Sequence, residues 1–591
     1  MSELQQQNFR VNLGGVIALL SKNLYSSPGV YVRELIQNAV DAIAARDAFD
    51  DAPAPRVITI SPYGVASPHS PADEFALTDA GIGVSPAQVE QFLATVGASS
   101  KSDELQRSRR TYIGQFGIGL LSCFLIADEI TVVSRSATGA DPIEWVGRSD
   151  GTYTIRTITD EAAVGTTVRL QPRPDMIGWA RAEQVSPLVQ KYAEFLPVAI
   201  KVLTSQGPKE VSREYPWVRD FGAHRSGVSQ GVSPVYGGLG VGRQFDAIEI
   251  ADETQGLQGV VYIGTPSRRT TSVRRNRVYV NDMLVDDAEG SLLPSWAFFA
   301  WAVVNSTKLE PTASREAIMN NAVQAGTRRA LAQAALKWLR SLADTDPERF
   351  AEFVTDNELE LRSAATHCID AENRGLADVV LPMLTMQTTE GHLRLVDIVS
   401  RNPNVLFAAS VKEFRTIASF NPGGRIVVNA GHALDQEVLL MLPQVMSGVT
   451  VTRAYPASEV AALTVPSADG AVGALEQRGS HALQASGSRV VVRRFPSTDL
   501  PAVFIGHGQI DADSPGCSDL PHLVVNWDNR AVQALIHTTD DLVFSRLMQL
   551  LFVQARMAAQ CDGPEDRILL SEALDDIIVL AAGVDGSEVV R

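Results

Sequence analysis

Cysteine is scarce in this sequence and basic residues are in deficit, and each shortage excludes a class of protein. The four cysteines are widely scattered, with no Cys-x-x-Cys pair: Cys123, Cys368, Cys517 and Cys561. They suggest neither a zinc site nor a disulfide framework. The 51 Lys and Arg residues are outnumbered by 68 Asp and Glu, which gives a formal net charge of -17. This is the wrong sign for a general nucleic-acid binder, so we expect no nucleic-acid partner.

The sequence also lacks a long hydrophobic run. Its most apolar stretch, residues 292–304, is far too short to span about 30 Å of hydrocarbon. The first ten residues are polar and do not resemble a signal peptide. We therefore expect a cytoplasmic protein that has no membrane partner.

The chain has 591 residues, of which 45% are hydrophobic and 20% charged, so it should fold around several cores. Helical patterns alternate with short β-branched runs, which predicts a multidomain α+β or α/β protein. A glycine-rich passage over residues 205–242 is typical of a loop, and residues 466–488, rich in Ala, Gly and Ser, suggest a late boundary. The expected divisions are a first domain over 1–200, a linker over 201–242, a second domain over 243–465 and a third over 466–591.

The segment from Tyr31 to Phe49 has the period of an amphipathic helix. Glu34, Asn38 and Asp41 share a narrow arc opposite its apolar face. That arc could simply face water. It could also line a pocket, with Glu34 as general base toward a water molecule and Asn38 as an oxygen ligand of Mg²⁺.

A strand that ends at Asp79 runs into Gly81 and Gly83. The carboxylate of Asp79 could accept a hydrogen bond from an exocyclic amine, which adenine offers and guanine replaces with a carbonyl oxygen. A plain glycine turn after an aspartate is an alternative interpretation.

Further along, Gly114, Gly117 and Gly119 precede an apolar helical run, so backbone N–H groups could converge on phosphate oxygens. The spacing is that of neither a Walker loop nor a dinucleotide-binding loop. A purely structural glycine turn would also explain it. Thr166 could add a hydroxyl for a base, or could simply begin a strand.

In order and spacing, these segments resemble the motifs of the GHKL ATPases. The sequences RELIQNAVDAI and IGQFGIGLLSCFLIADEITVVS are similar to those of one family within that group, the 90-kDa heat-shock chaperones of the bacterial type. The match continues through RVYVND and LEPTASRE and, more loosely, VVNWD and DLVFSR. A histidine kinase would have a phosphoacceptor segment before the ATPase domain, where we see only a few residues. A MutL-like or topoisomerase-like protein would supply a lysine to the γ-phosphate and usually has a basic DNA face.

The resemblance implies an N-terminal GHKL (Bergerat) α/β sandwich that binds ATP and Mg²⁺, an α/β middle domain with a catalytic arginine and a client surface, and a small mixed α/β C-terminal dimerisation domain. Glu34 and Arg315 are the implied catalytic residues, with Arg315 on the γ-phosphate, a task that suits a guanidinium fork. An ion pair with Glu316 or another neighbour is the alternative for Arg315. The implied ATP-binding residues are Asn38, also the Mg²⁺ ligand, Asp41, Asp79, Gly83, Lys101, Gly114, Gln115, Phe116, Gly117, Ile118, Gly119 and Thr166.

The resemblance further implies a homodimeric chaperone that hydrolyses ATP slowly, closes a lid and acts on client proteins. The lid segment departs from the family pattern, because Ala98 stands where the usual lysine lies, and it stays open whether Lys101 replaces it. The C-terminal acidic pentapeptide is missing, which argues against cochaperones that dock on it. A nucleotide-sensing interaction protein with little hydrolysis is the alternative function.

Overall fold

The structure is a computed structural model that describes residues 15, 27–50, 54–92, 119–159, 162–212, 215, 244–264, 276–286, 292–312, 314–367, 374–420, 425–467, 469–506 and 521–582. The chain divides into two compact units, residues 1–338 and 339–591. The predicted fold class, a multidomain α+β or α/β protein, is confirmed, and its sheets are mixed. In the part of the chain that the structure describes, no helix has both the length and the apolar character needed to cross a membrane.

The first unit opens with a helix and an eight-stranded sheet. In chain order its elements are α1 (Val30–Phe49), β1 (Val57–Ser61), β2 (Phe75–Asp79), α2 (Pro86–Phe92), β3 (Ala127–Arg135), β4 (Ile143–Arg148), β5 (Tyr153–Thr157), β6 (Gly165–Pro172), α3 (Ile177–Ala180), α4 (Ala182–Ala193), β7 (Ala199–Thr204) and β8 (Gly207–Glu210). A short 3₁₀ helix, Gly119–Leu125, precedes β3. The strand order is β5-β4-β3-β6-β2-β1-β7-β8, and β1 and β7 are parallel. Apolar side chains of α1 and α4 share one buried core with the sheet.

A five-stranded sheet follows in the same unit, in the order β12-β11-β13-β10-β9. Its strands are β9 (Gln244–Asp252), β10 (Leu257–Gly264), β11 (Arg277–Val280), β12 (Met283–Asp286) and β13 (Ala300–Ser306). Every residue of β13 is buried, so it is the central strand of this sheet. Trp296, Phe299 and Trp301 are buried here, whereas Phe298 is half-buried.

The second unit also contains two sheets. The boundary between the two units falls within helix α5 (Ala322–Thr345). In chain order, the elements that follow are α6 (Pro347–Asp356), α7 (Glu358–His367), α8 (Arg374–Val380), β14 (Thr385–Thr388), β15 (Gly391–Arg394), α9 (Leu395–Arg401), β16 (Asn404–Ala408), α10 (Val411–Phe420), β17 (Val427–Asn429), α11 (Asp435–Val445), β18 (Thr450–Arg453) and α12 (Pro456–Ala461). These strands form a five-stranded sheet in the order β15-β14-β17-β16-β18.

The last part of this unit is a three-stranded sheet covered by helices. Its elements are α13 (Asp469–Ala482), β19 (Arg489–Arg493), β20 (Ala502–Ile505), β21 (His522–Asn526), α14 (Arg530–Ile536), α15 (Asp541–Ala558) and α16 (Pro564–Ala582). The strand order is β19-β21-β20, and α13 and α15 pack their apolar side chains against it.

The interpretation of residues 205–242 as a loop is wrong for the first residues of that passage. The passage from Ser205 was expected to be a loop, but Gly207–Glu210 forms β8, which pairs with β7 through a two-residue turn. The strand lies at the edge of the sheet and is largely exposed, so its composition is polar and carries no strand pattern. From residue 216 to 242 the passage lies outside the described residues.

Candidate functional site

Helix α1 presents the acid that the sequence singled out. Its apolar residues recur at helical spacing, and Leu35, Ile36 and Ala39 are buried in the core of the sheet. On the other face Glu34 is only 3% exposed, whereas Asn38 is exposed and Asp41 is half-buried. The arc therefore does not simply face water, because its first member is covered by other parts of the protein.

Two guanidinium groups cover the carboxylate of Glu34. Arg33 donates to Oε1 from Nε at 3.3 Å and from Nη2 at 3.1 Å. Arg315 donates to Oε2 from Nη1 at 2.8 Å. All three side chains are at least nine-tenths buried, so the ion pairs are shielded from water. The structure thus brings together the two residues that the sequence proposed as catalytic.

Arg315 lies in a tight turn, not at a helix start. The turn is closed by the bridge between Pro311 and Ile318, and Arg315 N donates to Thr312 O at 2.9 Å. The backbone of Arg315 has a φ of +55°, a left-handed conformation that costs a non-glycine residue about 1–3 kcal/mol. Surrounding contacts must offset this cost, and they fix the direction in which the guanidinium leaves the turn.

Arg33 supplies those contacts from α1. Its Nη1 donates to the carbonyl oxygen of Arg315 at 3.0 Å, and its Nη2 donates to that of Ser314 at 2.6 Å. One side chain therefore binds both the carboxylate of Glu34 and the backbone of the turn. Sequence reasoning gave Arg33 no role, and a charged residue next to an acid on a helix carries no signal for such a contact.

Asp79 ends β2 and lies almost fully buried in the sheet. Its Oδ1 accepts a hydrogen bond from Gly81 N at 2.8 Å. Burial raises the pKa of Asp79 to about 7, although backbone N–H groups of Gly81 and Thr166 oppose the shift. A carboxyl group in this state can change its charge near neutral pH when a ligand supplies a hydrogen-bond donor.

The turn after Asp79 requires glycine at Gly83. Its φ is +69°, and a Cβ atom there would come within 2.0 Å of the carbonyl oxygen of Arg135. The same turn lies against α1, because Ile82 N donates to Ala42 O at 2.9 Å. Asn38 and Asp41 therefore lie on α1 between Glu34 and the point where this turn docks.

Thr166 is brought next to Asp79 by the pairing of β2 with β6. Its hydroxyl lies 2.9 Å from Ser134 Oγ, which also accepts a hydrogen bond from Val84 N at 2.9 Å. Ser134 thus joins Thr166 to the chain that follows Gly83. Sequence reasoning missed this serine, because its position in a strand rich in β-branched residues gave no sign of a polar network.

Gly119 is the one member of the glycine loop that falls among the described residues. A Cβ atom at Gly119 would lie 2.7 Å from Glu34 Oε2, so glycine leaves the space beside this oxygen open. The helix it begins is a 3₁₀ helix, whereas the sequence predicted an ordinary helical run. Lys101, Gly114, Gln115, Phe116, Gly117 and Ile118 lie outside the described residues.

The described residues fit a magnesium-bound adenine nucleotide. Asp79 offers a buried carboxylate for an amine, Gly119 leaves the space beside Glu34 Oε2 free of a side chain, and Asn38 is an exposed residue whose amide oxygen is the type of ligand that Mg²⁺ accepts. Glu34 Oε2 lies 2.8 Å from Arg315 Nη1, so this acid is next to a cation of the type that binds phosphate oxygens.

Comparison with known proteins agrees with this geometry. Residues 25–159 match the family described as histidine kinase-, DNA gyrase B-, and HSP90-like ATPase. The chain is 30% identical over 432 residues to the chaperone protein HtpG of Methylobacterium sp. (strain 4-46), covering 68% of this chain and 67% of that protein. It is 25% identical over 632 aligned positions to the HtpG of Rhodopseudomonas palustris (strain HaA2), covering 97% of both chains. The chain therefore belongs to the HtpG chaperone family and carries its ATPase domain at the N-terminal end.

Proposed function

We propose that this protein hydrolyses ATP with Glu34 as the general base and Arg315 as the ligand of the γ-phosphate, and that hydrolysis drives a chaperone cycle in a homodimer. The observation that carries this proposal is the contact between Arg315 Nη1 and Glu34 Oε2, which joins a helix of the ATPase domain to a turn far along the chain. A base and a phosphate-binding cation must lie close together to act on one phosphoryl group.

The nucleotide is proposed to bind with its adenine amine on Asp79 and with Gly83 and Thr166 nearby. Its phosphates would lie toward Gly119, and the remaining loop residues, Gly114 to Ile118, together with Asp41 and Lys101, complete the proposed set. Mg²⁺, held by Asn38 and phosphate oxygens, would offset the charge of the phosphates.

Glu34 would accept the proton of the attacking water. Its carboxylate is occupied by Arg33 on Oε1 and by Arg315 on Oε2, so Arg315 has to turn toward the phosphate before Oε2 is fully available. We propose that this exchange accompanies lid closure and makes hydrolysis slow, since a conformational step then limits turnover.

Dimerisation and client binding are assigned to the later domains. We propose an ATPase domain over 1–200, a linker over 201–242, a middle domain over 243–465 and a dimerisation domain over 466–591. The division after Trp338 falls within the proposed middle domain.

Exposed apolar side chains such as Leu359 and Leu440, each 61% exposed, are the kind of surface that a client segment would cover. A cytoplasmic location is part of the same proposal.

The test is steady-state phosphate release by two variants, with ATP affinity measured in parallel. Glu34→Ala should lower kcat by about 100-fold or more, and Arg315→Ala by about 100-fold, since each removes a group that acts in the transition state. The Kd for ATP should change by less than about threefold in both.

Arg329→Ala serves as the control, because it removes the same charge from an exposed position on α5. A large loss of ATP affinity in Arg315→Ala, with normal residual turnover, would contradict the proposed role of the arginine. If wild-type phosphate release does not exceed that of Glu34→Ala, the protein senses nucleotide without useful hydrolysis.

A further inference from the structure

A third polar side chain of α1, Gln37, lies against the same arginine. At about 100° per residue, Gln37 is about 60° from Glu34 around the helix, on the side away from Asn38. It has no exposed surface, whereas Asn38 is open to solvent. The turn that carries Arg315 therefore covers Glu34 and Gln37 and leaves Asn38 accessible.

Arg315 Nη1 donates to Gln37 Oε1 as well as to Glu34 Oε2. A guanidinium group has donors but no acceptor, so the atom of the amide that faces it must be the oxygen. This fixes the orientation of the Gln37 side chain. Its Nε2 atom is then turned away, and it is buried without a hydrogen-bond partner among the described residues.

An unpaired buried N–H group destabilises the folded protein, and an apolar side chain of similar length would avoid that cost. Packing alone therefore does not favour an amide at this position. Only an amide or an acid at this position supplies an oxygen that can bind Arg315. The contact with Arg315 therefore explains why position 37 carries a glutamine.

Glu34 and Gln37 bind the guanidinium in different ways. Glu34 is a charged partner, and its contact with Arg315 occupies the oxygen that the proposed base needs. Gln37 is neutral, so it can keep its contact while the charge of the arginine is turned to another anion. When Arg315 leaves Glu34, a guanidinium without a second anchor would be free to rotate away from α1.

We propose that Gln37 is a positioning residue, which keeps Arg315 Nη1 at α1 when that nitrogen releases Glu34 Oε2 and the remaining N–H groups of the guanidinium turn to the γ-phosphate. This inference rests on the proposed roles of Glu34 and Arg315. The backbone of the turn has its own anchor in Arg33, so Gln37 acts on the side chain of Arg315 rather than on the position of the turn.

The experiment compares Gln37→Met with Gln37→Glu in the full-length protein. Met has a similar length and removes the oxygen, so kcat should fall about tenfold while the KM for ATP changes by less than about twofold. Glu retains an oxygen acceptor, so its kcat at about pH 8 should stay within about threefold of wild type, and the acid limb of its pH profile should move upward because two carboxylates then share one site.

A double-mutant cycle then locates the effect. In an Arg315→Ala background, Gln37→Met should change kcat by less than about twofold, because the partner of the oxygen is already gone. An unchanged kcat in Gln37→Met, an equal loss in Met and Glu, or the same loss in the Arg315→Ala background would each overturn the proposal.

A nucleotide-free readout separates this inference from the proposed function. In chemical unfolding without ATP, the midpoint shifts of Gln37→Met and Arg315→Ala should be non-additive if the two side chains bind each other. Additive shifts would overturn the contact itself. Non-additive shifts, in a wild-type protein that releases no phosphate above the Glu34→Ala background, would instead refute the proposed hydrolysis.

Discussion

At the scale of single residues, Asp79 should make nucleotide binding depend on pH. Burial raises the pKa of Asp79 to about 7, so the free protein holds a proton there below neutrality. An amine donor favours the ionised carboxylate, so binding should release that proton. We expect the affinity for ATP to fall about tenfold from about pH 8 to about pH 6, as measured by calorimetry.

Asp79→Asn is the control for this prediction, because an amide does not titrate. Its binding of ATP should be weaker and should lose the part of the pH dependence due to Asp79. An identical pH profile in both proteins would contradict the assignment.

The raised pKa of Asp79 also affects the stability of the folded protein. Because the folded pKa lies above the unfolded value near about 4, the stabilisation from Asp79 is complete below that value and is lost as pH rises through 7.

The residues that the sequence could predict are those whose chemistry follows from local pattern. Glu34 stands out because an acid interrupts the helical surface opposite an apolar face, and Asp79 because a strand ends there before two glycines. Gln37 and Ser134 could not be predicted in this way. Their roles depend on partners that are distant in the chain, and no spacing rule connects Gln37 to a turn 278 residues away.

At the scale of secondary-structure elements, Arg46 should stabilise the part of the site where we propose that adenine binds. This arginine near the end of α1 donates from Nη1 to Ala80 O at 2.9 Å and to Val164 O at 3.4 Å. It thereby ties α1 to the turn after β2 and to the start of β6. Arg46→Met should lower the free energy of unfolding by about 1–3 kcal/mol, because partly buried carbonyl groups lose a charged donor.

The same variant should raise the Kd for ATP about five- to tenfold while kcat changes by less than about twofold, since the proposed base, Glu34, is at the other end of α1. Arg56→Ala is a suitable control, because its ion pair with Asp47 joins the same region and is half exposed. It should change the free energy of unfolding by less than about 0.5 kcal/mol. Equal destabilisation by both variants would show that Arg46 has no special role.

Helices and strands could be predicted where burial of one face requires apolar residues at a regular spacing in the sequence. The helix from Tyr31 to Phe49 was expected within one residue of its bounds, since its apolar face is packed in the core. Strand β8 was missed because it is an exposed edge strand whose residues face water.

At the scale of the whole molecule, amino-acid composition is a weak signal for domain bounds. Composition marks a boundary only where a linker is polar and unpaired. The passage chosen as the last boundary contains helix α13, whose glycines include Gly479, packed against Val490 of β19. Small residues there allow close contact between a helix and a sheet, so a composition typical of a linker also suits a packed helix. The domain bounds stay a prediction.

The last helix should carry the proposed dimer contact. Leu574 and Ile578 lie one turn apart on α16 and are 41% and 62% exposed, so they form an apolar strip at the surface of the last unit. Burying both against a second copy would remove that strip from water. Ile578→Glu should therefore convert the dimer to a monomer at micromolar concentration, as measured by light scattering after gel filtration.

Leu580→Glu is the matched control, because Leu580 is 47% exposed on the opposite side of the helix. This variant should leave the dimer intact. A dimer that survives Ile578→Glu, or that dissociates equally in both variants, would refute this location of the contact.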